Sequence, residues 1–240
     1  RMLDALSREA LGTPENIVYR NDHPSALTEV LPAALLGSIL EMEADEVDLL
    51  SAEIVALTHG DPEAFLAAVV LAYVIAGLTQ QSEYSLKEQF LQAIEITDKQ
   101  FREKFPQATA LTTRLKLSIG MVDNKNIEPR QRMEALYCNT AGECLAAAMY
   151  ACLASDEDFD AAMILSVNHS GRSCAVGAIT GAILGAKMGH RALPDFYLES
   201  LEPVKALCTL ADDMVSGTPA KGIFDDDWDQ KYVQGMPLLP

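Results

Sequence analysis

Apolar residues recur along most of this chain at the three-and-four spacing of helices, and nowhere at the two-residue period of a half-buried strand. Leu27, Val30, Leu31, Leu35 and Ile39 share one face over residues 24–40, and Val47, Leu50, Ile54 and Leu57 mark a second helix that stops at Thr58-His59-Gly60-Asp61-Pro62. Glycine closes one helix at that corner and proline opens the next. The acidic stretch 41–48 reads as a connection. Residues 62–78 are apolar on all sides, which predicts an enclosed central helix. Further helices are expected at 86–104, 107–121, 141–154, 157–168, 172–189 and 201–216, with 122–132 the most loop-like interior segment. The tail is too rich in glycine, proline and charge for a helix, yet carries Phe224, Trp228 and Tyr232 as anchors, so it is expected to wrap the bundle. The pattern predicts one all-α domain over residues 1–240, an orthogonally packed bundle of about ten helices.

Composition sharpens this picture. The 240 residues are 49% hydrophobic, enough for one large core, and aromatics are few beside alanine and leucine. Thirty-five acidic against 18 basic side chains give a formal charge of −17, whose field repels a nucleic-acid backbone and favours a protein partner. The longest uncharged apolar windows, 64–78 and 174–186, fall short of the roughly 20 residues of a membrane span, so no membrane partner is expected. No signal-peptide pattern opens the chain, and five cysteines without framework spacing suit a reducing cytoplasm. Without a CxxC pair they read as small hydrophobes in helical runs, and only Cys174, just after a polar loop, has a chemical role as an alternative.

Residues 166–191 raise the chemical question. Glycines at 177, 181, 185 and 189 fall on one helix face, each at a cost of about 1 kcal/mol against alanine, which close backbone approach can offset. That spacing predicts a tightly enclosed helix, with the polar loop Asn168, His169, Ser170, Gly171, Arg172 and Ser173 held deep at its N-terminus. A helix start of this kind suits an anion. His169, five residues before Cys174, suggests a Cys-His nucleophile at the same place, with no third orienting residue in view.

Two stretches, THGDPEAFLAAVVLA from residue 58 and CLAAAMYACLASDEDFDAAMILSVNHSG from residue 144, followed by VGAITGAILGA, resemble the ADP-ribosylglycohydrolases, including the dinitrogenase-reductase-activating type. The likeness extends through PDFYLESLE and DWDQKY. It implies an all-helical fold in which two magnesium ions bind ADP-ribose and help water cleave its glycosidic bond to a protein side chain or small molecule.

The departures bear directly on activity. The family's helix-opening motif carries two metal-binding aspartates; aligned through Asn168, Gly171 and Ser173, these positions hold Arg172 and Cys174. A single charge about 4 Å from a divalent ion, at an effective dielectric of about 20, is worth roughly 8 kcal/mol, attractive for aspartate and repulsive for arginine. A neutral thiol does not replace a carboxylate for magnesium, so no family-type metal pair is expected. The family's glycine-rich loop is replaced near His23 to Ala26, with Glu29 where the family has arginine, and nothing in residues 1–30 resembles its threonine-aspartate-aspartate motif. The resemblance and its departures together imply a degenerate enzyme with a binding or regulatory role, an ADP-ribose-like ligand and a homodimer or protein partner. An active ADP-ribosyl hydrolase is the alternative. Arg172 either forms an ion pair with an acid such as Asp61 or grips a phosphate, and His59 either caps its corner or touches the ligand. The acidic run 225–229 misses the EF-hand spacing and reads as a solvated turn.

Overall fold

A computed structural model describes residues 11–124 and 126–216, and the predicted tail anchors lie outside them. All regular structure among the described residues is helical, as the periodicity predicts. The chain divides into two compact units, 1–191 and 192–240.

In the first unit, α1 (Ala26–Glu29), α2 (Leu31–Ile39) and α3 (Ala44–Ala56) precede α4 (Pro62–Thr79), which packs on α1, α2, α3, α5 (Leu86–Phe101), α6 (Gln107–Gly120), α8 (Ala141–Ala154) and α10 (Ser173–Met188). Between them run α7 (Pro129–Ala135) and α9 (Phe159–Val167). By length and composition α4 is apolar enough to cross a membrane, but its neighbours cover it: Phe65, Leu66, Val69, Val70 and Leu71 are wholly buried. Phe65 meets Phe105 edge-on, ring centroids 5.0 Å apart. In the second unit α11 (Asp195–Glu199) and α12 (Val204–Ser216) are short and largely exposed.

Local signals set the helix starts. Asp61 caps α4 by accepting from Glu63 N at 3.0 Å, with Pro62 in the first turn. Ser85 with Glu88 and Thr140 with Glu143 form reciprocal capping boxes at α5 and α8. The corner before α4 needs glycine for space rather than for a left-handed backbone. A Cβ on Gly60 would lie 2.8 Å from Ile17 Cγ2 and 2.9 Å from Tyr19 O, the carbonyl that accepts from Gly60 N at 2.9 Å.

Three expectations are corrected. The acidic segment 41–48 already contains the first turns of α3, where Asp45 and Glu46 favour the positive end of the helix dipole. Pro129, in the first turn of α7, starts a helix inside the segment read as loop. The glycine face of α10 is not a continuous close contact. Only Gly177 is tight, a Cβ there falling 2.9 Å from Val167 Cγ1, whereas Gly181 has ordinary room, Gly185 has open space, and Gly189 leaves the helix at φ +74°. The helix therefore buries one side only, and α8 fills the central place beside α4.

Phe65→Ala empties the most enclosed part of this core and should cost about 3–5 kcal/mol, read as a lower urea midpoint at unchanged slope.

Candidate functional site

The starts of α4 and α8 are each tied by a backbone hydrogen bond to the chain that leads into α1, and the start of α10 is tied to the turn before α8. Gly60 N donates to Tyr19 O, Ala141 N donates to Asp22 O at 2.8 Å, and Arg172 N donates to Cys138 O at 2.9 Å. The loop 168–172 rests on residues 137 and 138, which hold left-handed backbones at φ 62° and 54° although neither is glycine. Gly171 allows that seat: a Cβ there would meet Cys138 Cβ and Tyr137 O, each at 2.6 Å.

This loop lies at the surface, not deep in the fold. Asn168, Ser170 and Arg172 are exposed and only His169 is buried. Its polar groups are largely satisfied locally. Asn168 Nδ2 donates to Ile164 O at 2.7 Å, Ser173 Oγ donates to His169 O at 3.2 Å, and the Ser170 hydroxyl and amide both donate to Glu134. The Ser170 hydroxyl holds the Glu134 carboxyl below the usual carboxylate range.

The Cys-His pairing is not formed. His169 Nε2 faces Ser166 O at 2.9 Å and Nδ1 accepts from Gly171 N at 3.1 Å, so both ring nitrogens are engaged with backbone. Cys174 is exposed on the first turn of α10. The buried thiols of Cys138 and Cys144 are each pushed up to about 12 by burial, which keeps them protonated.

Arg172 reaches across to the segment before α1. Its Nη1 lies 2.9 Å from His23 Nε2 and its Nε donates to Asn139 O at 3.0 Å. The ion pair with Asp61 is not made, because Asp61 caps α4 with one oxygen and places the other 3.7 Å from Arg20 Nε. A guanidinium only donates, so His23 Nε2 accepts, while His23 Nδ1 lies 2.9 Å from Ser25 Oγ and 3.2 Å from Ser25 N. The Ser25 hydroxyl is 2.8 Å from His59 Nε2, His59 Nδ1 is 2.9 Å from Thr58 Oγ1, and that hydroxyl donates to Glu29 Oε2 at 2.6 Å. One chain of polar groups within hydrogen-bond distance thus runs from cation to carboxylate.

Burial first, then the Arg172 guanidinium and His59, holds His23 below its ordinary value and so in the neutral form. Burial of Glu29 pushes its carboxyl up, but hydrogen bonds from His59 and Thr58 outweigh this and leave it below the ordinary value. Beside the chain, Glu63 Oε1 accepts from Arg114 Nη1 and Thr140 Oγ1, both at 2.6 Å.

The ADP-ribosylglycohydrolase family model matches residues 2–222, across both compact units. The chain belongs to the ADP-ribosylglycohydrolase family. A search of curated proteins gave no significant match. In this member of the ADP-ribosylglycohydrolase family, Arg172 and His59 stand at opposite parts of one hydrogen-bond chain, while Asn168, Ser170 and Ser173 stabilise the loop that presents Arg172. His23, Ser25 and Glu29 complete the chain. From the sequence, only the resemblance singles out their segment.

Gly171→Ala forces the loop off its seat and should cost about 1–3 kcal/mol. Histidine NMR should show the His23 ring losing its Arg172-bound environment at the same time.

Proposed function

We propose that this ADP-ribosylglycohydrolase-family protein binds an ADP-ribose-like ligand through its pyrophosphate and does so without the family's magnesium pair, as a degenerate enzyme with a binding or regulatory role. The observation that carries the reading is the Arg172 guanidinium at the start of a 16-residue helix, exposed and bonded among the described residues only to neutral groups. Arginine has no acceptor with which to cap a helix, and its charge lies at the positive end of the dipole. An anion relieves both conditions, and three of the five guanidinium N–H groups remain for it. The donors around this helix start suit magnesium poorly. They are a guanidinium and a thiol, while Asp61 and Glu63 are engaged with Arg20, Arg114, Thr140 and the α4 amides.

A second reading has its own support. Ser25 Oγ against His59 Nε2, with Glu29 Oε2 3.5 Å from His59 Nδ1, has the order of nucleophile, base and orienting acid. It favours a metal-independent hydrolase. A regulatory role also needs a partner, either a second copy or another protein, and the exposed Leu36, Leu40 and Leu49 on α2 and α3 support one.

Calorimetry with ADP-ribose should give the same affinity with and without chelator, and Arg172→Ala should weaken it at least about tenfold, or about 1.4 kcal/mol. Magnesium-dependent release of ADP-ribose from an ADP-ribosylated arginine peptide would refute the proposal. Chelator-resistant release that disappears in Ser25→Ala and survives in Cys174→Ala would establish the second reading. Light scattering at micromolar concentration tests the homodimer.

A further inference from the structure

A cavity of about 230 Å³ lies between α2, α3, the C-terminal half of α4 and the start of α5. It is separate from the family site: Gly77 in its wall is about 24 Å along α4 from Asp61 at the usual rise per residue. Its lining includes Ser38, Asp48, Tyr73, Gly77, Tyr84 and Gln89. Gly77 is needed there, since a Cβ would fall 2.9 Å from Gln89 Oε1.

Asp48 is the anomaly. Its side chain is wholly buried, and neither carboxylate oxygen has a hydrogen-bond partner. A buried carboxylate without a donor is strongly unfavourable, so it either keeps its proton or acquires a cation. The cavity brings it no cation of its own, because the lining contains no lysine, arginine or histidine. An anionic ligand therefore finds no counter-charge. A divalent metal ion wants several oxygen ligands, and among the described residues no group of three or more histidines, cysteines and acids could hold one. Tyr73 and Tyr84 add aromatic rings to the lining, and aromatic faces attract organic cations.

We propose that this cavity binds a small organic cation, a primary ammonium or a guanidinium, whose charge pairs with the Asp48 carboxylate. A cationic head replaces the missing hydrogen-bond donors, and the remaining volume takes a short aliphatic or aromatic tail. Burial first, then Asp45 on the same helix, raises Asp48 from 3.8 to about 7. The other titratable groups at the cavity are Tyr73 on α4 and Tyr84 just before α5; the residues that α2 and α5 bring to the lining are not ionisable. Burial, followed by Asp48 and Tyr84, also raises the Tyr73 hydroxyl, so it stays a neutral donor. Because the folded carboxyl titrates above its unfolded value, the ligand-free protein binds the extra proton between about pH 4 and 7 and loses stability as pH rises through that window. The cation restores it.

The test is calorimetry on the full chain with n-butylammonium, against n-butanol and butyrate as neutral and anionic probes of similar size. Butylammonium should bind at least about tenfold more tightly than either at pH 8, and its affinity should fall about tenfold from pH 8 to pH 6 as Asp48 takes up a proton. At pH 7 its binding heat should depend on the buffer, because Asp48 releases a proton. Asp48→Asn keeps the shape of the side chain, should abolish the preference for the cation, and should flatten the fall in melting temperature between pH 4 and 7. Ala76→Phe, which narrows the cavity from α4 without touching the carboxylate, should weaken butylammonium in wild-type background. Equal affinity for the three probes, no butylammonium binding, or a heat independent of buffer would each overturn the proposal.

Discussion

An 18-residue helix that is apolar all round must be covered on every flank, and this requirement organises the first unit of the chain. No single amphipathic partner can cover α4, so helices from before and after it in sequence close around it. Enclosure also fixes where α4 begins. Gly60 passes so close to Tyr19 O that the corner has no room for a side chain, and the Asp61 cap and Pro62 start the helix there. His59 is carried to the same corner, and the segment ending at Ser25 is tied to it by the Tyr19 carbonyl. The functional geometry is thus a consequence of how this enclosed apolar helix is entered.

Period and capping made the helices legible in the sequence. Those signals are local, and α5, α6, α8 and α9 lie close to where periodicity and caps place them. Glycine spacing misled for α10 because glycine has two uses. It allows close approach, which holds at Gly177, but it also occupies positions where nothing approaches, as at Gly185. The polar loop at Asn168 to Ser173 was legible as a segment, whereas its partners were not. Tyr137 and Cys138 carry no compositional sign of left-handed backbone, yet their turn is the seat on which Gly171 rests. Asp48 sat unremarked within an acidic stretch read as a connection, and only the packing of α3 on α4 distinguishes it from its neighbours Asp45 and Glu46.

The hydrogen-bond chain from Arg172 to Glu29 has ends of opposite capacity. A guanidinium has no acceptor and an ionised carboxylate has no donor, so the intervening imidazoles and hydroxyls are oriented from both sides. A cation at the start of α10 is connected through neutral groups to an anion on α1, and no like charges are forced together. Replacing Arg172 alone by aspartate would place a second carboxylate at one end of a chain already terminated by Glu29 at the other.

Arg172 and Asp48 both lack an ionic partner among the described residues, for different reasons. Arg172 is exposed, water solvates its free N–H groups, and leaving it unpaired costs little. Asp48 has no such relief. Burial removes it from water, and the charge that acts on it, Asp45, is another acid. An isosteric apolar side chain would remove that cost outright, because no hydrogen bond holds the carboxylate in place and none would be broken. The fold therefore gains nothing from Asp48 in the absence of a ligand, whereas it gains a defined helix start and a bridged loop from Arg172. Of the two, the buried carboxylate makes the stronger demand for something the chain alone does not supply.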